Sequence, residues 1–197
     1  MTPRAYIVAA GGANYGSLRE ACRRVGVEAD IGDDAARMAQ ASHVILPGVG
    51  AAGHAMRALR ERGLDRAIAK LDQPLLGICL GMQLLFERSD EGDAEGIGLL
   101  PGEVKRLPPA PRWPHMGWNT LDAAAPHPLL DGIGEADWFY FVHGYAAPAG
   151  DSTLAKTHHG ATFSAAVARG YVHGVQFHPE KSAAAGRRVL ANFFALA

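Results

Sequence analysis

The chain has 197 residues, of which 48% are hydrophobic and 20% charged, a composition that predicts a single folded domain over residues 1–197 and excludes an intrinsically disordered chain. Its 19 basic and 20 acidic residues leave a net charge of −1, which gives no electrostatic reason to expect a nucleic acid or a membrane surface as a partner. Two cysteines, Cys22 and Cys79, are too few for a disulfide framework and predict free thiols in a reducing, cytoplasmic setting.

The first apolar run is not typical of a targeting segment. Met1 and Thr2 lead into residues 5–10, a run that is too short for the core of a signal peptide and that favours a first strand. The longest apolar stretch, residues 75–86, contains two glycines and Gln83, and it is shorter than the roughly 18 residues that span a bilayer.

The first half of the chain alternates strand and helix patterns. The predicted elements are strands over 5–9, 27–31, 43–46 and 74–79, a helix over 18–25 capped by Ser17, a helix carrying Met56, Leu59 and Leu64, and a helix over 80–87. This order is typical of an α/β fold with three layers, in which a mostly parallel, flavodoxin-like sheet carries helices on both faces.

The second half is punctuated by Gly and Pro and predicts antiparallel strands added to that sheet. Strands are predicted over 103–106, 138–142, 152–156, 163–168 and 171–177, a closing helix over 183–194, and loops over 89–98 and the proline-rich segment 107–114.

The sharpest local motif is Gly77-Ile78-Cys79-Leu80-Gly81, which follows the apolar strand 74–79 and precedes a helix. It is the cysteine counterpart of a nucleophile elbow, in which a strained turn projects the nucleophile above the sheet and glycines avoid collisions. The positive end of the helix dipole favours a thiolate there, and the amide of Leu80 can stabilise an oxyanion. The alternative is a buried, inert cysteine, which is the interpretation we favour for Cys22 within its helix.

A thiol nucleophile needs a base, and His178-Pro179-Glu180 at the end of the last predicted strand is the best candidate. A carboxylate two residues after the histidine can hold its tautomer, although a solvated surface turn would have the same sequence. His158-His159 and His173 lack the spacing of zinc ligands, so no metal and no cofactor are expected.

Two glycine-containing turns follow strands. Residues 11–17 lack both the dinucleotide-binding and the P-loop pattern, which leaves a tight turn between strand and helix. Pro47-Gly48-Val49-Gly50 ends the third strand, at the edge where α/β sheets bind ligands. Its backbone can expose, or turn to expose, an N–H as a second oxyanion donor, although Pro-Gly also marks ordinary turns.

Together these motifs resemble the class I (triad) glutamine amidotransferases. The resemblance rests on residues 47–50, on residues 76–83 and on Gly174-Val175-Gln176-Phe177-His178-Pro179-Glu180, in the order and spacing of that family. More narrowly, Pro114-His115-Met116-Gly117-Trp118-Asn119, residues 138–143 and Lys181-Ser182 are similar to the glutaminase subunits of imidazole glycerol phosphate synthases.

The resemblance implies a role for each matching residue. Cys79 would be the nucleophile, His178 the general acid and base, and Glu180 its orienter. The implied oxyanion donors are the backbone amides of Val49 and Leu80. The implied glutamine-binding residues are Gly50, Gln83, Glu91, His143 and Tyr145, and those implied at the partner interface and ammonia exit are Asn14, Trp118, Asn119 and Tyr140.

The implied activity is hydrolysis of L-glutamine to glutamate and ammonia, which passes to a cyclase subunit of the (β/α)8-barrel type in a heterodimer. That partner would produce imidazole glycerol phosphate and aminoimidazole carboxamide ribotide in histidine biosynthesis. A subunit of another synthase, a non-catalytic binding subunit, and a cysteine hydrolase or redox sensor are the alternatives. The presence of Cys79, His178 and Glu180 disfavours the binding subunit, and the turn at Val49 disfavours the sensor.

The sequence departs from the family pattern at two places. Gly144 stands where a Ser or Thr is usual, which removes a hydroxyl and leaves only backbone contacts with the substrate. The segment Ala9-Ala10-Gly11-Gly12-Ala13-Asn14 keeps the asparagine but lacks the usual acidic residue.

Overall fold

The computed structural model describes residues 3–9, 11–110, 112–123 and 125–197. Met1, Thr2 and Ala10, which the sequence analysis placed beside and within the first apolar run, lie outside these ranges. The helices in the described part of the chain lack the combination of length and apolar character that crossing a bilayer requires.

The first half alternates strands and helices, as its pattern predicts. The elements are β1 (Arg4–Val8), α1 (Tyr15–Arg24), β2 (Glu28–Gly32), α2 (Ala35–Ala39), β3 (His43–Gly48), α3 (Ala52–Glu61), α4 (Leu64–Ile68), β4 (Leu75–Cys79) and α5 (Leu80–Leu84).

The second half consists mostly of strands and closes with a helix. The elements are β5 (Phe86–Ser89), β6 (Ala94–Glu95), β7 (Leu100–Arg106), β8 (His115–Asn119), β9 (Asp122–Ala123), β10 (Phe139–His143), β11 (Tyr145–Ala146), β12 (Thr153–His159), β13 (Ala161–Arg169), β14 (Val172–Val175) and α6 (Ala183–Phe194). Short 3₁₀ turns occupy Pro128–Leu130 and Pro179–Lys181.

The main sheet has eight strands in the order β2-β1-β3-β4-β14-β13-β12-β9. Its first five strands are parallel, and β13, β12 and β9 continue it in antiparallel pairing. Two smaller sheets, β10-β8 and β11-β7-β5-β6, lie beside it. The structure therefore confirms the expected mostly parallel sheet with added antiparallel strands.

Successive side chains of β1 point to opposite faces of the sheet and belong to two separate apolar clusters. Ala5 and Ile7 join Leu18 of α1 and Val189 of α6 on one face. On the other face, Tyr6 and Val8 pack with residues of α2, α3 and α4 such as Met38, Met56 and Leu64. A sheet covered by helices on both faces is the predicted three-layer arrangement.

Several element boundaries in the first half differ from the prediction. Asn14, not Ser17, caps α1, because its side-chain oxygen accepts a hydrogen bond from the Ser17 amide at 3.1 Å. Leu64 opens a separate helix after Gly63, whose φ of 66° ends the preceding one. The five-residue helix α2 was not predicted, and α5 ends at Leu84 because the chain continues directly into β5.

One predicted loop contains a short strand, and another short strand directly follows the second predicted loop. Residues 89–98, expected to be a loop, include β6, which pairs with β5. The strand β8, which the sequence analysis did not identify, follows the proline-rich segment and pairs with β10 along its length. Gly117 within it has a φ of 137°, a backbone conformation that favours glycine.

Candidate active site

Cys79 occupies the strained turn that its motif predicts. Its φ of 55° is rare for a residue other than glycine, and it is the last residue of β4 immediately before α5. A side chain at Gly77 would lie 2.7 Å from the backbone of Met82, and one at Gly81 would collide with the Leu46 carbonyl. The two glycines are therefore required for α5 to fold back against β3 and β4 and to hold Cys79 above the sheet.

The topology brings His178 to the same edge of the sheet. The strand β14 pairs with β4 in parallel, with Gly174 beside Gly77 and Val175 beside Ile78. The carboxyl ends of the two strands therefore lie next to each other, and the turn after β14 carries His178 to the cavity that contains Cys79. Such an edge is the usual position of ligands in α/β sheets.

Glu180 orients His178 directly. Its Oε1 lies 2.8 Å from Nδ1 of the imidazole, and both side chains are almost fully buried. Among the described residues, Nε2 of His178 has no hydrogen-bond partner, which leaves it for a reacting group. Burial lowers the pKa of His178, but hydrogen bonding and charge interaction with the side chains of Cys79 and Glu180 outweigh it and raise that pKa to about 10. The arrangement favours the imidazolium form of His178.

The turn that carries His178 is held from three directions. The Ser182 hydroxyl donates to the His178 carbonyl at 2.6 Å and accepts from the Tyr140 amide at 3.0 Å. The His178 amide donates to the Tyr140 carbonyl at 2.9 Å. Gly186 of α6 packs directly against the Pro179 carbonyl, where a side chain would collide. His178 is thus fixed by β10 and α6 as well as by its own strand.

The sulfur of Cys79 has polar neighbours besides the histidine. Its Sγ lies 3.7 Å from the Val142 carbonyl oxygen and 3.7 Å from Nε2 of Gln176. Sequence reasoning did not single out either residue, since Gln176 is 97 positions from Cys79 and only the sheet brings them together. Because this site is buried, the electrostatic interaction in these contacts is stronger than it would be in water.

The two expected oxyanion donors differ in availability. Leu80 begins α5, so its amide has no acceptor within the helix. The Val49 amide donates to the Gly12 carbonyl at 3.1 Å, although the Val49 side chain is exposed. In this structure one donor is available and the other is engaged by the turn after β1.

A cavity of about 280 Å³ is lined by Cys79, His178 and both expected oxyanion donors. Its lining residues are Val49, Gly50, Cys79, Leu80, Gln83, Glu91, Val142, His143, Gly144, Tyr145, His178 and Lys181. All five residues that the resemblance assigns to glutamine are on this wall. A larger cavity, of about 570 Å³, lies among residues 121–135 and Ala155, and its wall has no cysteine.

Three of the expected glutamine-binding side chains also have structural contacts. The amide nitrogen of Gln83 donates to the Tyr145 carbonyl at 2.8 Å. Glu91 accepts a hydrogen bond from the Ala52 amide at 2.8 Å and so caps α3. His143 is buried and directs Nδ1 at the Tyr145 carbonyl, 2.8 Å away. The wall is therefore held in shape by hydrogen bonds within the protein.

A small histidine cluster supports this wall. Nδ1 of His115 lies 3.0 Å from Nε2 of His143, and the rings of His115 and His159 stack at 4.2 Å. Because the Tyr145 carbonyl can only accept, Nδ1 of His143 carries its proton and Nε2 accepts from His115. Burial lowers the pKa of His143 to about 3 and that of His115 to about 4, so both are neutral at pH 7.

The residues expected at a partner interface occupy different surroundings. Trp118 is half-exposed, and its ring packs edge-on against Tyr140 with 5.9 Å between centroids. Asn14 is exposed at the start of α1. Asn119 uses its side chain within the fold, donating to the His158 carbonyl at 3.0 Å and accepting from the Thr120 amide.

The second cysteine belongs to the core, as predicted. Cys22 is fully buried on α1, and burial raises the pKa of its thiol to about 12. Neither cysteine is in a disulfide. Within the described ranges, we find no group of three or more His, Cys, Asp or Glu side chains placed to hold a metal ion.

Comparison with known proteins identifies a family. The family model described as class-I glutamine amidotransferase matches residues 12–197. The chain is 53% identical to imidazole glycerol phosphate synthase subunit HisH from Xanthomonas axonopodis pv. citri (strain 306), over 95% of this chain and 94% of that protein. It is 51% identical to the protein of the same name from Xylella fastidiosa (strain Temecula1), with the same coverage.

Solved structures show the same fold at lower identity. A glutamine amidotransferase crystal structure has a TM-score of 0.76 at 22% identity and covers 96% of both chains. The structure of PurLQS from Thermotoga maritima has a TM-score of 0.71 at 20% identity and covers 98% of both. From the family model and the close relatives, we conclude that the chain belongs to the class-I glutamine amidotransferases and, within them, to the HisH subunits of imidazole glycerol phosphate synthase.

Proposed function

We propose that Cys79, His178 and Glu180 form the triad by which this subunit hydrolyses L-glutamine to glutamate and ammonia. The observation that carries the proposal is the convergence of a strained cysteine at the end of β4 with a carboxylate-bound histidine after β14. Strain, burial and an oriented base are features that concentrate at functional sites.

The proposed chemistry starts from a thiolate at Cys79 beside a protonated His178. The Cys79 thiolate attacks the carbon of the side-chain amide, and the imidazolium of His178 donates its proton to the departing ammonia. The thioester that remains is attacked by water, whose proton returns to His178, and glutamate leaves as the thiolate is restored. Glu180 keeps the imidazole in one tautomer and stabilises its charge through both steps.

The tetrahedral intermediates need backbone donors. The Leu80 amide at the start of α5 is one, and we assign the Val49 amide as the second. Because the Val49 amide is bound to the Gly12 carbonyl at rest, the peptide must rotate before it can serve. Loss of one such donor typically lowers the rate about 10²–10³-fold, so a resting form with this contact intact would be a slow enzyme.

Glutamine would lie along the wall formed by Gly50, Gln83, Glu91, His143 and Tyr145. Glu91 supplies a carboxylate for the substrate's ammonium group. The amide nitrogen of Gln83 donates to Tyr145 and Gln176, so its side-chain oxygen can accept a hydrogen bond from the same ammonium group. Between His143 and Tyr145, Gly144 contributes backbone only. Such a set of charged and amide groups suits an amino acid rather than an apolar ligand.

Ammonia must reach its acceptor before water protonates it, which requires a second protein surface over the site. The relatives are named as subunits of a synthase, and we propose a cyclase subunit as the partner in a heterodimer. The outward face of β8 and β10 offers the exposed side chains of Met116 and Trp118 for this contact, with the partly buried Tyr140 beside Trp118. We place Asn14 and Asn119 at the edge of the same contact.

Two further assignments complete the proposal. Both core clusters pack on the same eight-stranded sheet, which supports a single domain over residues 1–197. Two thiols outside any disulfide are as expected for a cytoplasmic protein, where the reducing environment keeps cysteines unpaired.

The experiment that tests the proposal measures glutamate release by the wild type and by Cys79→Ser, each alone and with the cyclase subunit. We expect the wild type to be stimulated by the cyclase and Cys79→Ser to lose at least about 10³-fold in kcat while it keeps its unfolding midpoint, because a hydroxyl is a far weaker nucleophile. Cys22→Ser is the matched control and should keep full kcat. Activity of Cys79→Ser near that of the wild type would contradict the assignment.

A further inference from the structure

Gln176 is a buried side chain that the triad does not include. It follows β14, two residues before His178, and its side chain is fully buried. Its backbone amide continues the sheet by donating to the Ala165 carbonyl at 2.9 Å, so the main chain there is fixed. From this position Nε2 lies 3.7 Å from Sγ of Cys79.

The orientation of this amide is determined by a chain of hydrogen bonds that begins at a backbone carbonyl. The Tyr145 carbonyl can only accept, so the group of Gln83 that lies 2.8 Å from it is the amide nitrogen. The same nitrogen lies 2.9 Å from the other amide and therefore faces an oxygen, Oε1 of Gln176. With its oxygen bound to Gln83, Gln176 has its N–H group towards the sulfur.

The direction of this contact matters because the sulfur changes its charge. A neutral thiol can donate to the Val142 carbonyl, 3.7 Å away, whereas a thiolate is repelled by that oxygen. An N–H donor on the other side has the opposite effect, since it binds the charged sulfur more strongly than the neutral one. Hydrogen bonds to charged groups also count for more in a buried site.

We infer that Gln176 is a positioning residue for the glutaminase reaction, which holds Sγ of Cys79 in its strained turn and favours the thiolate, and that Gln83 fixes the amide that does so. The inference rests on the proposed role of Cys79 as nucleophile. It assigns Gln83 a second task besides the wall of the glutamine site, because the same nitrogen that binds Tyr145 also sets the amide of Gln176.

Two substitutions distinguish the effect of the N–H donor of Gln176 from the effect of its side-chain volume. Gln176→Glu keeps the shape and the oxygen that accepts from Gln83, and it places an oxygen in place of the N–H group that faces the sulfur. Gln176→Met keeps a similar volume without any donor. Ser164→Ala is the matched control, because Ser164 is also buried, on the adjacent strand β13, and its hydroxyl bonds Thr153 and Pro148 rather than the sulfur.

The first measurement is the rate at which iodoacetamide alkylates Cys79 in the full chain at pH 7, located by mass spectrometry on the Cys79 peptide. The second is kcat and KM for glutamine with the cyclase subunit present. We expect alkylation and kcat to fall about tenfold in Gln176→Met and further in Gln176→Glu, with KM within twofold of the wild type. Ser164→Ala should lower the unfolding midpoint and leave the alkylation rate unchanged.

Wild-type alkylation and kcat in Gln176→Met and Gln176→Glu would overturn the inference while leaving the triad intact. A matching fall in Ser164→Ala would also overturn it, since general loosening of the sheet would then explain the effect. If Gln176→Met does not fold, the isosteric Gln176→Glu decides alone. A wild-type complex that releases no glutamate would instead count against the proposed function, which the Cys79→Ser comparison tests separately.

Discussion

At the scale of single residues, Gly144 and Trp113 form a matched pair at the glutamine wall. A side chain at Gly144 would lie 2.8 Å from Cζ2 of Trp113, so the indole occupies the space that a larger residue would need. The guanidinium of Arg106 lies over the Trp113 ring, 4.7 Å from its centre. The departure from the family pattern at Gly144 therefore has a local packing reason in this chain.

This pair predicts a coupled substitution. Gly144→Ser should raise KM for glutamine about tenfold, because the added side chain must displace Trp113 or the backbone between His143 and Tyr145. In a Trp113→Ala background the same change should have little additional effect. Steady-state glutaminase kinetics of the two single variants and the double variant measure the coupling.

The control for this cycle is Gly150→Ser, at a glycine whose surroundings are open. It should leave KM unchanged. Equal effects of Gly144→Ser with and without Trp113 would show that the indole does not set the requirement for glycine.

Sequence alone singled out the proposed triad residues, because each of them lies in a short motif. Cys79 lies between two glycines at a strand end, and His178 and Glu180 are two positions apart, so their spacing carries the information. Gln176 was not found, because its contact with Cys79 depends on which strands pair. The engagement of the Val49 amide by Gly12 was equally inaccessible, since it depends on how two turns approach each other.

At the scale of elements, the close approach of α6 to the turn after β14 determines where the base lies. Gly186 contacts the Pro179 carbonyl, and Ser182 at the start of the helix binds the His178 carbonyl. The helix thereby fixes the segment 176–182, which connects β14 to α6 and contains the 3₁₀ turn Pro179–Lys181. A change in the distance between helix and turn must move His178.

We predict that Gly186→Ala destabilises the protein by about 1–3 kcal/mol and lowers kcat, because the new methyl group pushes α6 away from Pro179. The expected loss exceeds any gain in helix propensity from alanine, which is about 1 kcal/mol. Urea unfolding and glutaminase assays on the same preparation measure both effects.

Gly134→Ala adds the same methyl group at an exposed glycine with nothing nearby, and it serves as the control. We expect it to change neither stability nor kcat. A fully stable and active Gly186→Ala protein would mean that α6 adjusts without moving the turn.

The elements themselves were predicted unevenly. The closing helix 183–194 was predicted with the bounds that the structure gives it, because its apolar period is uninterrupted. Short elements were missed, among them α2 with five residues and β8 after the prolines, since few positions carry a period there. The boundary between α3 and α4 was not predicted, because it is determined by the positive φ of Gly63.

At the scale of the whole molecule, the buried histidines predict how stability depends on pH. Burial lowers the pKa values of His115 and His173 to about 4 and that of His143 to about 3, whereas histidines in the unfolded chain titrate near 6.5. The stability that they contribute is present above pH 6.5 and is lost as the pH falls towards 4.

His178 acts in the opposite sense. Its burial is outweighed by Cys79 and Glu180, which raise its pKa to about 10, so its contribution is complete below pH 6.5 and is lost as the pH rises towards 10. We expect the free energy of unfolding to be greatest near pH 6.5–7 and to fall on both sides, as measured by urea titration from pH 4.5 to 9.5.

His173→Gln provides the internal check, because it removes one of the titrations that act on the acid side and His173 does not line the cavity of Cys79. Its stability should decline less steeply between pH 6.5 and 4.5 than that of the wild type. An acid limb of unchanged slope would contradict the role assigned to His173.

The position of β14 in the sheet has a consequence for the order of events during synthesis. This strand lies between β4 and β13 in the sheet, whereas in the chain all the strands from β5 to β13 come between β4 and β14. The ribosome therefore synthesises those strands before β14 can pair with β4, and contacts over such a separation in the chain form slowly. A partly synthesised chain that ends before His178 carries the thiol of Cys79 without that histidine, so under the proposed triad it cannot hydrolyse glutamine.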